Sequence, residues 1–104
     1  MSTNKEPQIY YVLFHTPGPT WKDGIDFRQQ PGVVDHVNYM ASFMATDKLA
    51  IGGPFLDNTG GMMVLRADSQ EEAEAIANAD PSVLAGLLKV SVKPWFVPME
   101  TMTK

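Results

Sequence analysis

Cysteine is absent from this 104-residue chain, so there is no disulfide frame, no thiolate nucleophile and no cysteine-ligated metal centre. Histidine occurs only twice, at His15 and His36, and on that ground no set of three metal ligands is expected. Basic residues are scarce as well. Eight Lys and Arg stand against twelve Asp and Glu, spread singly along the chain, and the net charge is −4. That balance argues against nucleic acid or an anionic membrane as a partner. No apolar run reaches membrane-spanning length, and Met1 to Gln8 is polar, without the apolar core of a signal peptide, so the expected address is the cytoplasm. Also missing are a Gly-x-Ser-x-Gly elbow, a phosphate loop and a dinucleotide fingerprint, which removes the serine-hydrolase and nucleotide readings and leaves no cofactor indicated.

What is present describes one soluble domain. With 44% hydrophobic and 19% charged residues, the chain has the length to bury about two-thirds of its unfolded surface, and too little for two cores. We expect a disordered tail over 1–8, a single domain over 9–97 and a C-terminal tail over 98–104. The organising stretch runs from Asp68 to Phe96. Asp68-Ser69 caps a helix with Glu71 and Glu72 in its first turn, and Ala79-Asp80-Pro81 stops it. Ala73, Ile76, Ala77 and Asp80 fall at i, i+3, i+4 and i+7, which puts a carboxylate in the last slot of the core-facing stripe. Two roles are open to Asp80, and they are compatible. It can cap a second short helix begun by Pro81, or it can be held for a basic partner at the border of the core.

Ile9-Tyr10-Tyr11-Val12-Leu13-Phe14 is apolar at both parities and reads as a central strand buried on both faces. His15 stands at its end, where a hydrogen-bonded strand terminus is the commoner role. From Thr16 to Gly32 no period is sustained, yet Trp21, Ile25 and Phe27 are too apolar for a linker, and Arg28 lies among them. That loop reads either as a lid or as a cover for the core or an interface. A helix follows over about Val33 to Thr46, with Val33, Val37, Met40 and Met44 on one stripe and His36 at its border. A histidine there is either packed and hydrogen-bonded or aimed into a cavity.

Leu49 to Phe55 forms a short strand that Pro54 assigns to a sheet edge, and Gly52-Gly53 reads as a bulge or as a close approach to a ligand. After the turn at Asp57 to Gly61, Met62 to Leu65 is apolar at both parities and therefore central. The last strand, Leu88 to Phe96, alternates as an edge strand with one wet face. The order is βαββαβ, a ferredoxin-like α+β fold with a four-stranded antiparallel sheet ordered 4-1-3-2 and two helices on one face. Central strands apolar on both faces need a second cover, for which a homodimer packed sheet to sheet is the simplest source.

These residues resemble the YciI-like (YCII-related) family of dimeric α+β barrels over about Ile9 to Val97. The matching pieces are Tyr10-Tyr11-Val12, His36, Gly52-Gly53-Pro54-Phe55, Ser69-Gln70-Glu71-Glu72-Ala73, Ala79-Asp80-Pro81 with Ala85-Gly86, and Val90-Ser91-Val92-Lys93-Pro94-Trp95. The resemblance implies a ferredoxin-like protomer, a barrel-like dimer and a site built on His36 and Asp80. It also implies acid–base chemistry, some relatives being linked to dehydrochlorination of hydroxylated aromatics and most having no assigned reaction. Relatives often carry an arginine shortly before the histidine; here Pro31 to Asp35 intervene and the nearest is Arg28, which puts anion binding in doubt. A carboxylate accepting from one imidazole nitrogen fixes the tautomer and presents the other as a proton acceptor. The expected chemistry is isomerisation or elimination on a small cyclic or aromatic substrate, by a cofactor-independent isomerase or lyase. Its pocket is expected to be formed by Met40, Gly53, Pro54 and Phe55 with Arg28 and Trp21 or Phe27. The alternative is a non-enzymatic module that binds a small ligand or a partner.

Overall fold

The protein is described here by a computed structural model covering residues 8–101. Of the expected tails, 1–7 and 102–104 lie outside the described residues, whereas Gln8 already pairs with Val97 in the sheet. Four strands, β1 (Gln8–Pro17), β2 (Leu49–Pro54), β3 (Gly61–Leu65) and β4 (Leu88–Val97), form one antiparallel sheet in the order β2-β3-β1-β4. This is the expected arrangement, with the two both-parity apolar strands at the centre. Among the described residues no helix is long and apolar enough to cross a membrane.

The helical layer consists of α1 (Val33–Ala41), α2 (Gln70–Asn78) and α3 (Pro81–Leu84). Beneath it, Leu13, Met63 and Leu65 of the sheet pack with Met40 of α1 and Ala73, Ile76 and Ala77 of α2, all nearly or fully buried. The predicted stripe of α2 is thus the observed one. Its start is fixed by the Ser69 hydroxyl accepting from the Glu72 N–H, as the capping rule requires. On the opposite face Tyr10, Val12, Val64 and Val97 make a second apolar cluster, with Phe14, Ala50 and Met62 against it.

Several expectations need correction. α1 ends at Ala41, not at Thr46, because Ser42 hydrogen-bonds back to the Tyr39 carbonyl and the chain continues in i→i+3 turns until Asp47 at φ 61°. The helix is also rotated from the expected stripe. His36 and Met40 are its buried residues, while Val37 and Met44 are more than half exposed. The bulge in β2 falls between Leu49 and Ile51, not at the glycine pair; at Gly52 a Cβ would run into the Met63 side chain and crowd the β3 backbone. β1 runs past His15 to Pro17, so the irregular loop begins later than expected and contains a 3-10 turn over Phe27–Gln29.

That loop is pinned by hydrogen bonds. The Gln30 side-chain amide, 2% exposed, accepts from the Lys22 N–H at 2.8 Å and donates to the Lys22 carbonyl at 2.7 Å. From the β2–β3 turn, Asn58 accepts from the Phe27 N–H at 3.0 Å and donates to the Ile25 carbonyl. Next to that turn, Gly60 (φ +124°) lies so close to β1 that a Cβ would overlap the His15 carbonyl oxygen. Gly60→Ala should therefore destabilise the fold by on the order of 2 kcal/mol, from backbone strain plus overpacking. A chemical-denaturation midpoint equal to wild type would refute that account.

Candidate active site

Asp80 is built to be two things at once. Pro81 at the first position of α3 sets Asp80 in an extended conformation (φ −60°, ψ 125°), which makes it the N-cap. Its Oδ1 accepts from the Ser82 N–H at 2.9 Å and from the Ser82 hydroxyl at 2.8 Å. Its Oδ2 accepts from His36 Nδ1 at 2.6 Å. The cap and the basic partner are therefore both real, one on each oxygen. The carboxylate is fully buried. Burial alone would push its pKa up, but the hydrogen bond and charge of His36, with both Ser82 donors, hold it below the usual carboxylate range.

His36 sits one turn into α1 and reaches Asp80 across the seam between α1 and α3. Because the ionised carboxylate takes the Nδ1 hydrogen, the second ring nitrogen, Nε2, is left as a proton acceptor. The His36 ring belongs to the wall of a cavity of about 460 Å³. Most of that wall is apolar. α1 supplies Val33, Val37 and Met40, the turns after it supply Met44, and the pinned loop supplies Trp21 and Phe27. The loop thus lies beside His36, as expected of either a lid or a cover.

Of the pocket residues inferred from sequence, the structure gathers Trp21, Arg28, Met40, Gly53 and Pro54 around His36. Phe55, which follows the last ladder pair, Pro54 with Gly61, and is 38% exposed, is not among the residues that line this cavity. Asp80 is not part of the wall either; it stands behind His36. Arg28 reaches the rim, but Asp26 binds its guanidinium through two hydrogen bonds of 2.9 and 3.2 Å.

The residue that sequence reasoning missed is His15. Its parity with Tyr11 and Leu13 turns it inward, beneath the helices, where it is 2% exposed and lines the same cavity. The ring meets His36 edge to face, centroids 4.9 Å apart, and its Nε2 is 3.8 Å from Asp80 Oδ2, beyond hydrogen-bond reach. Neither His15 nitrogen has a hydrogen-bond partner among the described residues. Burial, reinforced by the neighbouring His36 and only partly opposed by Asp80, lowers its pKa from 6.5 to about 4. The signal available in the sequence was the period-2 rule: a strand extended by one residue brings His15 onto the Leu13 face.

The expectation that no three metal-ligand side chains come together is likewise corrected. His15, His36 and Asp80 place one ligand atom each within 4.8 Å of one another. The His36–Asp80 separation of 2.6 Å, however, is that of a shared proton. Two donors on one tetrahedral ion with bonds of ~2.0 Å stand about 3.3 Å apart, so the pair as arranged is hydrogen-bonding equipment.

A YCII-related domain model matches residues 9–96. An uncharacterized protein of Bacillus subtilis (strain 168), YjpA, is 41% identical over 66 residues, which is 64% of this chain and 78% of that protein. Among solved structures, the 5-chloro-2-hydroxyhydroquinone dehydrochlorinase of Burkholderia phenoliruptrix AC1100, in complex with 2,5-dihydroxybenzoquinone, superposes with a TM-score of 0.64. That similarity covers 83% of this chain and 92% of the other at 23% identity, and shows a shared fold.

The buried imidazole gives stability a defined pH dependence. Unfolded His15 takes up a proton near pH 6.5 and the folded residue only near 4, so in that window the unfolded state holds more protons. Stability should rise on the order of 3 kcal/mol from pH 4 to 6.5 on account of this residue. Asp80, with its lowered pKa, acts in the same direction: its contribution is present above the unfolded carboxyl value and is lost as pH falls through the folded one. Urea titrations across the window test this; a flat profile would mean that His15 charges readily in the folded protein.

Proposed function

The chain belongs to the YCII-related domain family, and from that premise we propose that it is a cofactor-independent acid–base enzyme, a lyase or isomerase acting on a small oxygenated aromatic or cyclic substrate. The observation that carries this reading is the 2.6 Å contact between His36 Nδ1 and Asp80 Oδ2 at the wall of an apolar cavity. His36 is the base. Its Nε2 removes a proton from a ligand hydroxyl or ring carbon. The electron pair moves into the ring, and either a leaving group departs, as in elimination, or the proton returns at another atom, as in isomerisation. Asp80 touches no ligand; it positions His36, fixes its tautomer and stabilises the imidazolium formed in the step.

The cavity supplies the rest. Ring faces pack on Trp21, Phe27 and Met40, while Gly53 and Pro54 bound the β2 side. The solved relative named above carries 2,5-dihydroxybenzoquinone, which makes hydroxylated quinones the first ligands to try. The assembly is a homodimer in this reading. Ile51 and Trp95, half exposed beside the buried cluster of Tyr10, Val12 and Val64, leave apolar surface that a second copy packed sheet to sheet would cover. Light scattering at micromolar concentration should give twice the monomer mass, and a monomer would remove the dimer from the proposal.

The enzymatic step is tested by screening small phenols, quinones and cyclic carbonyl compounds by thermal shift and assaying hits for turnover. His36→Ala should lower turnover by roughly 10²- to 10⁴-fold. Asp80→Asn separates the two duties of the carboxylate, since Asn also caps helices but cannot serve as an anionic acceptor for Nδ1–H. Its far-UV spectrum should match wild type while turnover drops and the pH–rate profile shifts. Ligands that bind wild type and His36→Ala alike, with turnover by neither, would show a binding module.

A further inference from the structure

His15 is the feature that the acid–base reading does not use. A neutral imidazole carries one N–H donor and one acceptor nitrogen, and burying both without partners costs about 1–3 kcal/mol for each group. Here both are buried, at 2% residue exposure, in the wall of the cavity that His36 also lines. The position is held from three sides. The ladder of β1 fixes the backbone between Gly61 and Val90, His36 sets the ring edge to face, and the close pass of Gly60 prevents the strand from shifting. A side chain so poorly satisfied by the protein leaves a hydrogen-bonding demand at the cavity wall that a polar ligand atom seated against the ring would meet.

From this geometry we infer that His15 is a second ligand-binding residue, hydrogen-bonding an oxygen of a small aromatic hydroxyl or carbonyl compound while His36 handles its proton. The inference rests on the cavity being the ligand site proposed above and extends it to substrate class: one apolar ring with oxygen at the end where the imidazoles meet. Apart from Arg28, which is paired with Asp26, the remaining wall carries no charged side chain. As His36 takes the proton, negative charge develops on the ligand oxygen, and a His15 N–H directed at that oxygen stabilises it, as pre-aligned donors do in a dry site. The depressed pKa suits this duty, because the ring stays neutral near pH 7 and neither repels imidazolium at His36 nor competes for the proton.

The test compares phenol with toluene, which have nearly the same shape and differ in the oxygen. Dissociation constants are measured by titration calorimetry, with intrinsic fluorescence as a check because Trp21 lies on the wall. Relative to wild type, the toluene-to-phenol ratio of dissociation constants should fall about tenfold in His15→Phe, the loss of one hydrogen bond. His15→Gln, which retains a donor and an acceptor, should keep most of the preference. His15→Phe should also be at least as stable as wild type, since it removes two unpaired buried nitrogens beside a cavity with room for the larger ring. An unchanged ratio in a folded His15→Phe overturns the His15 assignment and leaves the His36 reading standing. Failure of wild type to bind either compound overturns both. If His15→Phe does not fold, His15→Gln against His15→Leu decides on the same ratio.

Discussion

The hydrogen bond from His36 Nδ1 to Asp80 Oδ2 joins α1 to the start of α3 and determines what the cavity beside it can do. It ties α1 to α3, whose start Asp80 itself caps, and through α3 it reaches the loop that leads into β4. A buried carboxylate of this kind is costly unless every lone pair used is matched by a donor. Here Ser82 supplies two donors and His36 a third. The consequence is rigidity: the imidazole cannot turn without stranding a buried charge, so its free nitrogen keeps a fixed position.

That fixed nitrogen would be of little use without a wall, and the wall follows from an apparent error in packing. α1 and the turns after it present Val33, Val37 and Met44 away from the core cluster, which a stable helix would not do without something to cover them. The loop between β1 and α1 covers them in part with Trp21 and Phe27. Gln30 and Asn58, acting as side-chain substitutes for backbone partners, hold that loop in place. The cavity is what remains between a helix rotated off its core and a loop that does not fully close over it.

Much of this was legible in the sequence, and the parts that were not have physical reasons. Strand order followed from apolar runs at both parities in β1 and β3, and the stripe ending in Asp80 followed from a 3.6-residue period interrupted by proline. Asp80 stood out because a carboxylate in a core slot demands a cap or a basic partner, and the family resemblance pointed to His36 as that partner. His15 did not stand out, because its burial depends on β1 continuing beyond Phe14 toward Pro17, into residues with poor strand propensity. Pairing with β4 carries the strand there regardless, with Thr16 opposite Lys89 and Pro17 opposite Leu88. The rotation of α1 was hidden for a related reason: valines and methionines that face a cavity have the same periodicity as those that face a core.

Why the carboxylate is aspartate and not glutamate can be argued from the same geometry. An N-cap side chain must fold back on the N–H two residues ahead, which a short side chain does with little loss of conformational freedom. Asp80 meets that demand with Oδ1 at 2.9 Å from the Ser82 nitrogen, and the carboxyl plane then carries Oδ2 to His36. A glutamate has one more methylene, roughly 1.5 Å of extra reach and one more rotor to immobilise. In a site with no exposed surface it would have either to give up the cap or to push into His36. One acidic residue can therefore serve both the backbone and the imidazole only if it is short, ionised and followed by a proline that sets its backbone. The chain meets all three conditions at Ala79-Asp80-Pro81.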